Sequence, residues 1–200
     1  MKTDLFAMNI AEKINQPIEQ WLKFFSPARQ EKILLYRFNA DRNRTIWAEL
    51  LVRFAVSKKF SCPFEEVEVQ RDENGKPYIK NIPAEISLSH AGNWVVCSVG
   101  TQKSGVDVEI NCEDYLEIAQ NFFLPKEFEK IISLPEYLRK RQFLIYWTLK
   151  EGYYKLTGEK GFLTKDCELL LSGTEKFEGA NCFLPDGSII GYCLENDKGG

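Results

Sequence analysis

Two segments, well separated along the chain, hold the residue types best suited to chemistry. In Gly105-Val106-Asp107-Val108-Glu109-Ile110, apolar and acidic residues alternate with the period of a strand. Asp107 and Glu109 therefore share one face, roughly 6–7 Å apart along it. In Trp147-Thr148-Leu149-Lys150-Glu151, continuing to Lys155, the pattern is helical, and Glu151 and Lys155 lie one turn apart on one side. If strand and helix meet, three carboxylates and two lysines converge. Three close carboxylates repel one another by about 4 kcal/mol per pair at ~4 Å with an effective dielectric near 20. Such a cluster persists when a divalent cation neutralises it, and an all-oxygen donor set selects a hard ion, Mg²⁺ or Mn²⁺, with a phosphate completing the shell.

Each segment alone has an ordinary explanation. An Asp-x-Glu pair reads as the polar face of an edge strand, and a Glu–Lys pair at i,i+4 as a helix-stabilising contact of about 0.3–0.5 kcal/mol. Their combination is the specific signal. His90, the only histidine, follows Ser87-Leu88-Ser89 at a strand end, where side chains emerge toward a site. Ser89 suits a turn or a phosphate. Arg29, Lys32, Arg44 and Arg53 form a scattered basic set on helices, and Lys76 follows an Asn-Gly turn.

The elements that must position these groups are legible in outline. Residues 18–36 read as helical, with Ser26-Pro27 opening a fresh helix. Asp41 to Phe60 is an amphipathic helix whose apolar face runs through Ile46, Trp47, Leu50, Leu51, Phe54 and Ala55. Asp72-Glu73-Asn74-Gly75 joins two extended segments as a hairpin. Two more strands cover Ile86–Ser89 and Trp94–Val99. Past residue 103 comes the acidic strand, then helices at Tyr115–Phe123, from Pro125 to about Ile132, and from Ser133-Leu134-Pro135 to Thr157, with Gly158 as the stop. Short strands are expected from Leu169 to Glu195. The order predicts an α+β fold of two α+β halves, 1–103 and 104–200.

Bulk properties narrow the classes. At 44% hydrophobic and 13% aromatic, the 200-residue chain has ample core-forming material. A net charge of −3 argues against binding nucleic acid through phosphate neutralisation. Six scattered cysteines without a Cys-x-x-Cys, and a single histidine, argue against zinc and for reduced thiols. The N-terminus has no signal-peptide pattern and no stretch approaches the ~20 apolar residues a bilayer span requires. A cytoplasmic protein without a membrane partner is expected.

Taken together, Phe25-Ser26-Pro27 with Arg29 and Lys32, Arg44-Thr45 with Leu51-Val52-Arg53, Gly75-Lys76-Pro77, Ser87-Leu88-Ser89-His90-Ala91-Gly92, Gly105-Val106-Asp107-Val108-Glu109 and Trp147 to Lys155 with Gly158 stand in the order of a known family. The sequence resembles the 4′-phosphopantetheinyl transferases of the surfactin-synthetase-activating type across roughly residues 20–165. That resemblance implies a pseudo-dimer of two similar α/β halves with the active site in the cleft between them. It implies Asp107, Glu109 and Glu151 as Mg²⁺ ligands (Mn²⁺ is possible) and coenzyme A as substrate. Lys150 and Lys155 would lie beside the pyrophosphate, Ser89 and His90 would contact phosphate, and Arg29, Lys32 and Arg44 would surround the 3′-phosphate. Thr45, Gly75 and Lys76 would lie near the adenine.

The implied reaction moves 4′-phosphopantetheine to a serine of an apo acyl or peptidyl carrier protein and releases 3′,5′-ADP. Glu151, or a water it holds, is the base, and Lys155 donates to the leaving phosphate. Phe122, Phe123 and Leu124 are candidates for an apolar carrier contact, and Lys160 and Lys165 for an acidic carrier helix. A monomer is expected. Gly152 stands where the family usually has Ala or Ser, and mid-helix glycine costs ~1 kcal/mol relative to alanine. Family members usually run further, so a reduced second sheet is expected. Two alternatives stay open: a coenzyme A or carrier-binding module without turnover, and a Mg²⁺-dependent nuclease or phosphohydrolase, which the acidic balance disfavours.

Overall fold

A computed structural model describes residues 3–159, 161, 163 and 165–196. The chain forms two compact units, Met1–Thr101 and Gln102–Gly200. The first runs β1 (Asp4–Asn9), α1 (Glu19–Leu22), α2 (Pro27–Leu34), α3 (Asn39–Phe60), a 3-10 turn at Phe64–Glu66, β2 (Val69–Arg71), β3 (Pro77–Ile79), β4 (Glu85–Ala91) and β5 (Trp94–Gly100). Its main sheet is antiparallel in the order β1-β5-β4, with β2-β3 as a separate hairpin. Helix α3 buries Ile46, Trp47, Leu50, Leu51, Val52, Ala55 and Val56 against this sheet.

Phe54, expected on that buried face, is instead largely exposed and meets Phe6 edge-on at 6.4 Å. The buried arc is wider than a single stripe, and Val52 and Val56 fill it from the other side. Strand β1 has no counterpart among the expected elements. Its Phe6 and Met8 pack against the core, and Asp4 takes an ion pair from Lys59 at 2.8 Å.

The second unit runs β6 (Ser104–Glu109), α4 (Tyr115–Phe122), α5 (Pro125–Ser133), α6 (Glu136–Thr157), α7 (Cys167–Ser172), β7 (Phe177–Phe183) and β8 (Ile189–Glu195). Its sheet is antiparallel in the order β6-β8-β7, and α6 packs on it. Each unit thus connects a strand through a 22-residue helix to a hairpin, and the hairpin's second strand pairs with the opening strand. The second unit's sheet has as many strands as the first unit's main sheet.

Residues Leu169–Leu171 are helical, not extended as expected. Asp166 caps the helix by accepting from the Glu168 amide, and Cys167 and Leu170, three apart, are the residues buried. A short apolar run fits either period, and the cap decides it. All six cysteines are free thiols. Among the described residues, no helix is long and apolar enough to cross a membrane.

Candidate functional site

In the second unit the acidic group is assembled by a close backbone approach. Gly105 on β6, Gly152 on α6 and Gly191 on β8 lie where helix meets sheet. A Cβ on Gly105 would stand 1.9 Å from the Gly152 carbonyl oxygen, and one on Gly191 would stand 2.4 Å from the Thr148 carbonyl carbon. A Cβ on Gly152 would come within 3.1 Å of the Gly105 oxygen. The helical glycine, a cost in isolation, is what lets α6 lie directly on β6 and β8. That contact brings Glu151 and Lys155 to the strand carrying Asp107 and Glu109.

Asp107 is buried and its Oδ1 accepts from Lys155 Nζ at 2.7 Å. Burial, then the neighbouring Asp107, push Glu109 up to about 7, with Glu151 adding to the rise and Lys155 opposing it. Glu151 is raised for the same reasons, burial first and Asp107 second, again with Lys155 opposing. Three carboxylates therefore feel one another's charge, and one ammonium offsets them.

Lys150, one residue before Glu151, has different company. It is fully buried, pairs with the equally buried Glu127 at 2.8 Å, donates to the Lys165 carbonyl at 2.5 Å and lies over the Phe123 ring at 4.9 Å. Glu127 also accepts from the Leu124 and Cys167 amides. A 100° step along the helix separates Lys150 from Glu151. Its ammonium is enclosed by these partners, and Lys150 ties α5, α6 and the segment before α7 together. Removing one partner of such a pair costs about 3–5 kcal/mol.

Of the proposed carrier contacts, Phe123 belongs to the core, stacked on Phe143 at 5.2 Å, while Phe122 is exposed. Lys165 lies over the Tyr153 ring, and Lys160 falls outside the described residues.

In the first unit, Arg29 and Lys32 of α2 line a cavity of about 440 Å³ together with Glu49, Arg53 and Arg71. Arg29 Nε donates to the buried Glu49 at 3.0 Å. Arg53 donates to the Val67 carbonyl at 2.7 Å, and burial lowers its pKa, partly offset by Glu49. Arg44 lies apart from this group in its bonding, pairing with Asp41 at 2.7 Å and donating to the Gly92 carbonyl in the β4–β5 turn. Thr45 is buried on α3.

Gly75 closes its turn at φ +82, and a Cβ placed there would meet nothing within 4 Å, so this glycine serves the backbone conformation rather than space. Lys76 is exposed and lines a second cavity of about 500 Å³ with Pro77, Ile79, Ile82 and Pro83. Strand alternation places Ser89, buried, and His90, exposed, on opposite faces of β4.

Sequence reasoning misses Glu49 and Arg71. Glu49 carries a usable signal, an acid set between Ala48 and Leu50 in the most apolar stretch of α3.

Two family models match in succession: "4′-phosphopantetheinyl transferase, N-terminal" over residues 13–102 and "4′-phosphopantetheinyl transferase superfamily" over residues 103–186. The chain belongs to the 4′-phosphopantetheinyl transferase superfamily. Among its relatives, it is 34% identical over 143 residues to 4′-phosphopantetheinyl transferase psf-1 of Bacillus pumilus, covering 71% of this chain and 61% of the relative. It is 30% identical over 142 residues to 4′-phosphopantetheinyl transferase Sfp of Bacillus subtilis (strain 168), covering 70% of this chain and 63% of the relative. With 4′-phosphopantetheinyl transferase HetI of a Nostoc species it shares 35% over 117 residues, 55% of this chain and 49% of the relative. The matched region thus spans about three fifths of the length of the first two relatives.

Proposed function

We propose that the protein transfers 4′-phosphopantetheine from coenzyme A to a serine hydroxyl of apo carrier proteins, releasing 3′,5′-ADP. The observation that carries this reading is the coupling of Asp107, Glu109 and Glu151 across β6 and α6, with Lys155 bonded to Asp107, in a chain of this superfamily. The reading requires the acidic group of the second unit and the basic groups of the first to meet on one coenzyme molecule.

The donor set fits a hard divalent cation: three carboxylates that destabilise one another's charged forms. Asp107, Glu109 and Glu151 would hold Mg²⁺, although among the described residues no three such side chains stand already gathered for it. When bound, the ion would polarise phosphoryl oxygens and offset charge growing there. The chain's own residues do the rest. Glu151, directly or through a water it holds, takes the proton of the carrier serine. The serine oxygen bonds to the β-phosphorus as the bond from that phosphorus to the bridging oxygen breaks. Lys155 donates to the phosphate that leaves. Arg29, Lys32 and Arg44, with His90, hold the 3′-phosphate, Ser89 contacts phosphate, and Thr45, Gly75 and Lys76 lie near the adenine. The carrier docks through exposed apolar surface such as Phe122.

Intact-mass measurement of an apo carrier panel with coenzyme A and Mg²⁺ tests the proposal. A mass gain of one phosphopantetheine is expected, lost on chelation. Glu151→Gln is expected to lower the rate by about 10²–10⁴-fold while the protein stays folded. Thermal stabilisation by coenzyme A without any mass gain would reduce the protein to a binding module.

A further inference from the structure

We infer that the chain pairs with a second copy of itself through β7, in an antiparallel two-fold arrangement that sets Phe183 of each copy over Gly179 of the other. This departs from the monomer expected of the sequence. It is independent of the transfer reaction, because β7 and the carboxylate-bearing β6 are the two outer strands of one sheet.

Strand β7 is hydrogen-bonded along one side. Its seven residues pair with β8 without a break, and among the described residues no strand pairs with its other side. A row of backbone N–H and C=O groups is left facing outward. Native edges of this kind are commonly blunted by a proline, a bulge or a lysine. Phe177-Glu178-Gly179-Ala180-Asn181-Cys182-Phe183 has none of these, and its one charge, Glu178, stands near an end.

The side chains beside the edge select a second copy as the occupant. Phe183, at the far end, is 53% exposed, and Arg141 of α6 lies over its ring at 4.5 Å. Gly179 leaves a hollow: with Leu171, Ala180 and Tyr192 it lines a cavity of about 210 Å³, and Leu171 of α7 is itself 41% exposed. One end of the strand thus offers a ring without cover and the other a hollow without filling. A two-fold axis at Asn181 answers both at once, because it sets Phe183 opposite Gly179 of the second copy. Odd-numbered residues keep the same face in this register, so the ring lands on the side it already occupies. An aromatic side chain covering a glycine across an edge pair is a recognised stabilising device. The same register brings Lys176 of each copy toward Asp186 of the other, both exposed, so charge complementarity repeats at the two ends. A register centred on Ala180 has neither feature: Phe183 would oppose Phe177, which is already buried, and Lys176 would face Leu184. Paired backbone with two phenylalanine rings and two leucines buries on the order of 1,000 Å² in all, the lower end for a specific interface, so a dimer of micromolar affinity is expected.

Sedimentation velocity of the full chain from about 1 to about 200 μM tests the pairing, with a mass rising from monomer toward dimer expected. Phe183→Lys should weaken the dimer by about thirtyfold or more without lowering the thermal midpoint. Register is tested by cross-linking. The two-fold axis at Asn181 sets residue 180 directly opposite Cys182 of the second copy, whereas on one strand their Cβ atoms lie about 7 Å apart, beyond the ~4 Å a disulfide requires. With oxidised glutathione, Ala180→Cys should give a disulfide-linked dimer on a non-reducing gel, while wild type and Ala180→Cys/Cys182→Ser should not. A chain that stays monomeric to about 200 μM overturns the inference. So does a dimer indifferent to Phe183→Lys, or one in which Ala180→Cys forms no link.

Discussion

Glu109 is the residue whose ionisation the fold disturbs in the most measurable way. Half-buried beside Asp107, and within reach of Glu151, it is pushed up to about 7 from an ordinary value of 4.5, with the Ile110 amide and Lys155 opposing the rise. In the folded chain Glu109 keeps its proton to about pH 7, whereas in the unfolded chain it releases it near 4.5. The group's stabilising contribution is therefore full below about 4.5 and is lost as pH rises through 7. Urea unfolding of the metal-free protein should show this decline between pH 4.5 and 7, and Glu109→Gln should flatten it. A Glu109→Gln profile that superimposes on wild type would mean that the carboxylate is not held among like charges. The pairing of Asp107 with Glu109 can be read from the sequence, because period-two alternation fixes their common face. The bond from Lys155 to Asp107 cannot, since no periodicity spans two elements. Nor can the fates of Lys150 and Glu151, adjacent in one motif yet facing a sealed ion pair and a carboxylate cluster respectively.

Helix α6 and strand β6 are each legible in the sequence with nearly their true bounds. Both carry clean periodicity, and α6 ends on Gly158, whose φ of +70 makes it a C-cap that bonds back to Tyr154. What the sequence does not supply is how close they lie. Mid-helix Gly152 reads as a local weakness until Gly105 and Gly191 are found against it. Because the helix backbone touches the strand, a single methyl group here acts on the whole element. Gly105→Ala should push α6 off β6, since its Cβ would overlap the Gly152 oxygen and the Leu156 amide nitrogen, which stands 2.7 Å away. A destabilisation of about 3 kcal/mol or more is expected by chemical denaturation. Activity should fall further than stability, because Glu151 moves with the helix while Asp107 stays with the strand. Gly152→Ala, whose nearest contact is a tolerable 3.1 Å, should be much milder. Equal effects from the two substitutions would show that helix and strand are not locked at this point. Strand β1 and helix α7 escape a sequence reading for related reasons. The partner of β1 is β5, far along the chain, and the short apolar run of α7 has no intrinsic period strong enough to choose helix over strand.

At the scale of the molecule, the proposed ligand groups are divided by chemistry. The cationic set, Arg29, Lys32, Arg44 and Lys76, belongs to the first unit, and the carboxylates with Lys155 belong to the second. Each unit has its own hydrophobic core and folds its share of the groups by the same succession of strand, long helix and hairpin. A ligand fragment that satisfies one set should then order one unit without the other. Hydrogen exchange read by mass spectrometry separates these cases, because protection follows local opening. With 3′,5′-ADP and no metal, slowed exchange is expected in segments 26–34 and 69–79 and little change in 104–110 and 147–157. Coenzyme A together with Mg²⁺ should slow exchange in all four segments. Chelating the metal should release the second pair first, since the mutual repulsion of Asp107, Glu109 and Glu151 returns as soon as no cation offsets it. If coenzyme A with Mg²⁺ protected the first unit alone, the carboxylates would have no part in holding the pyrophosphate, and the assignment of the second unit as the reacting half would fail on that result.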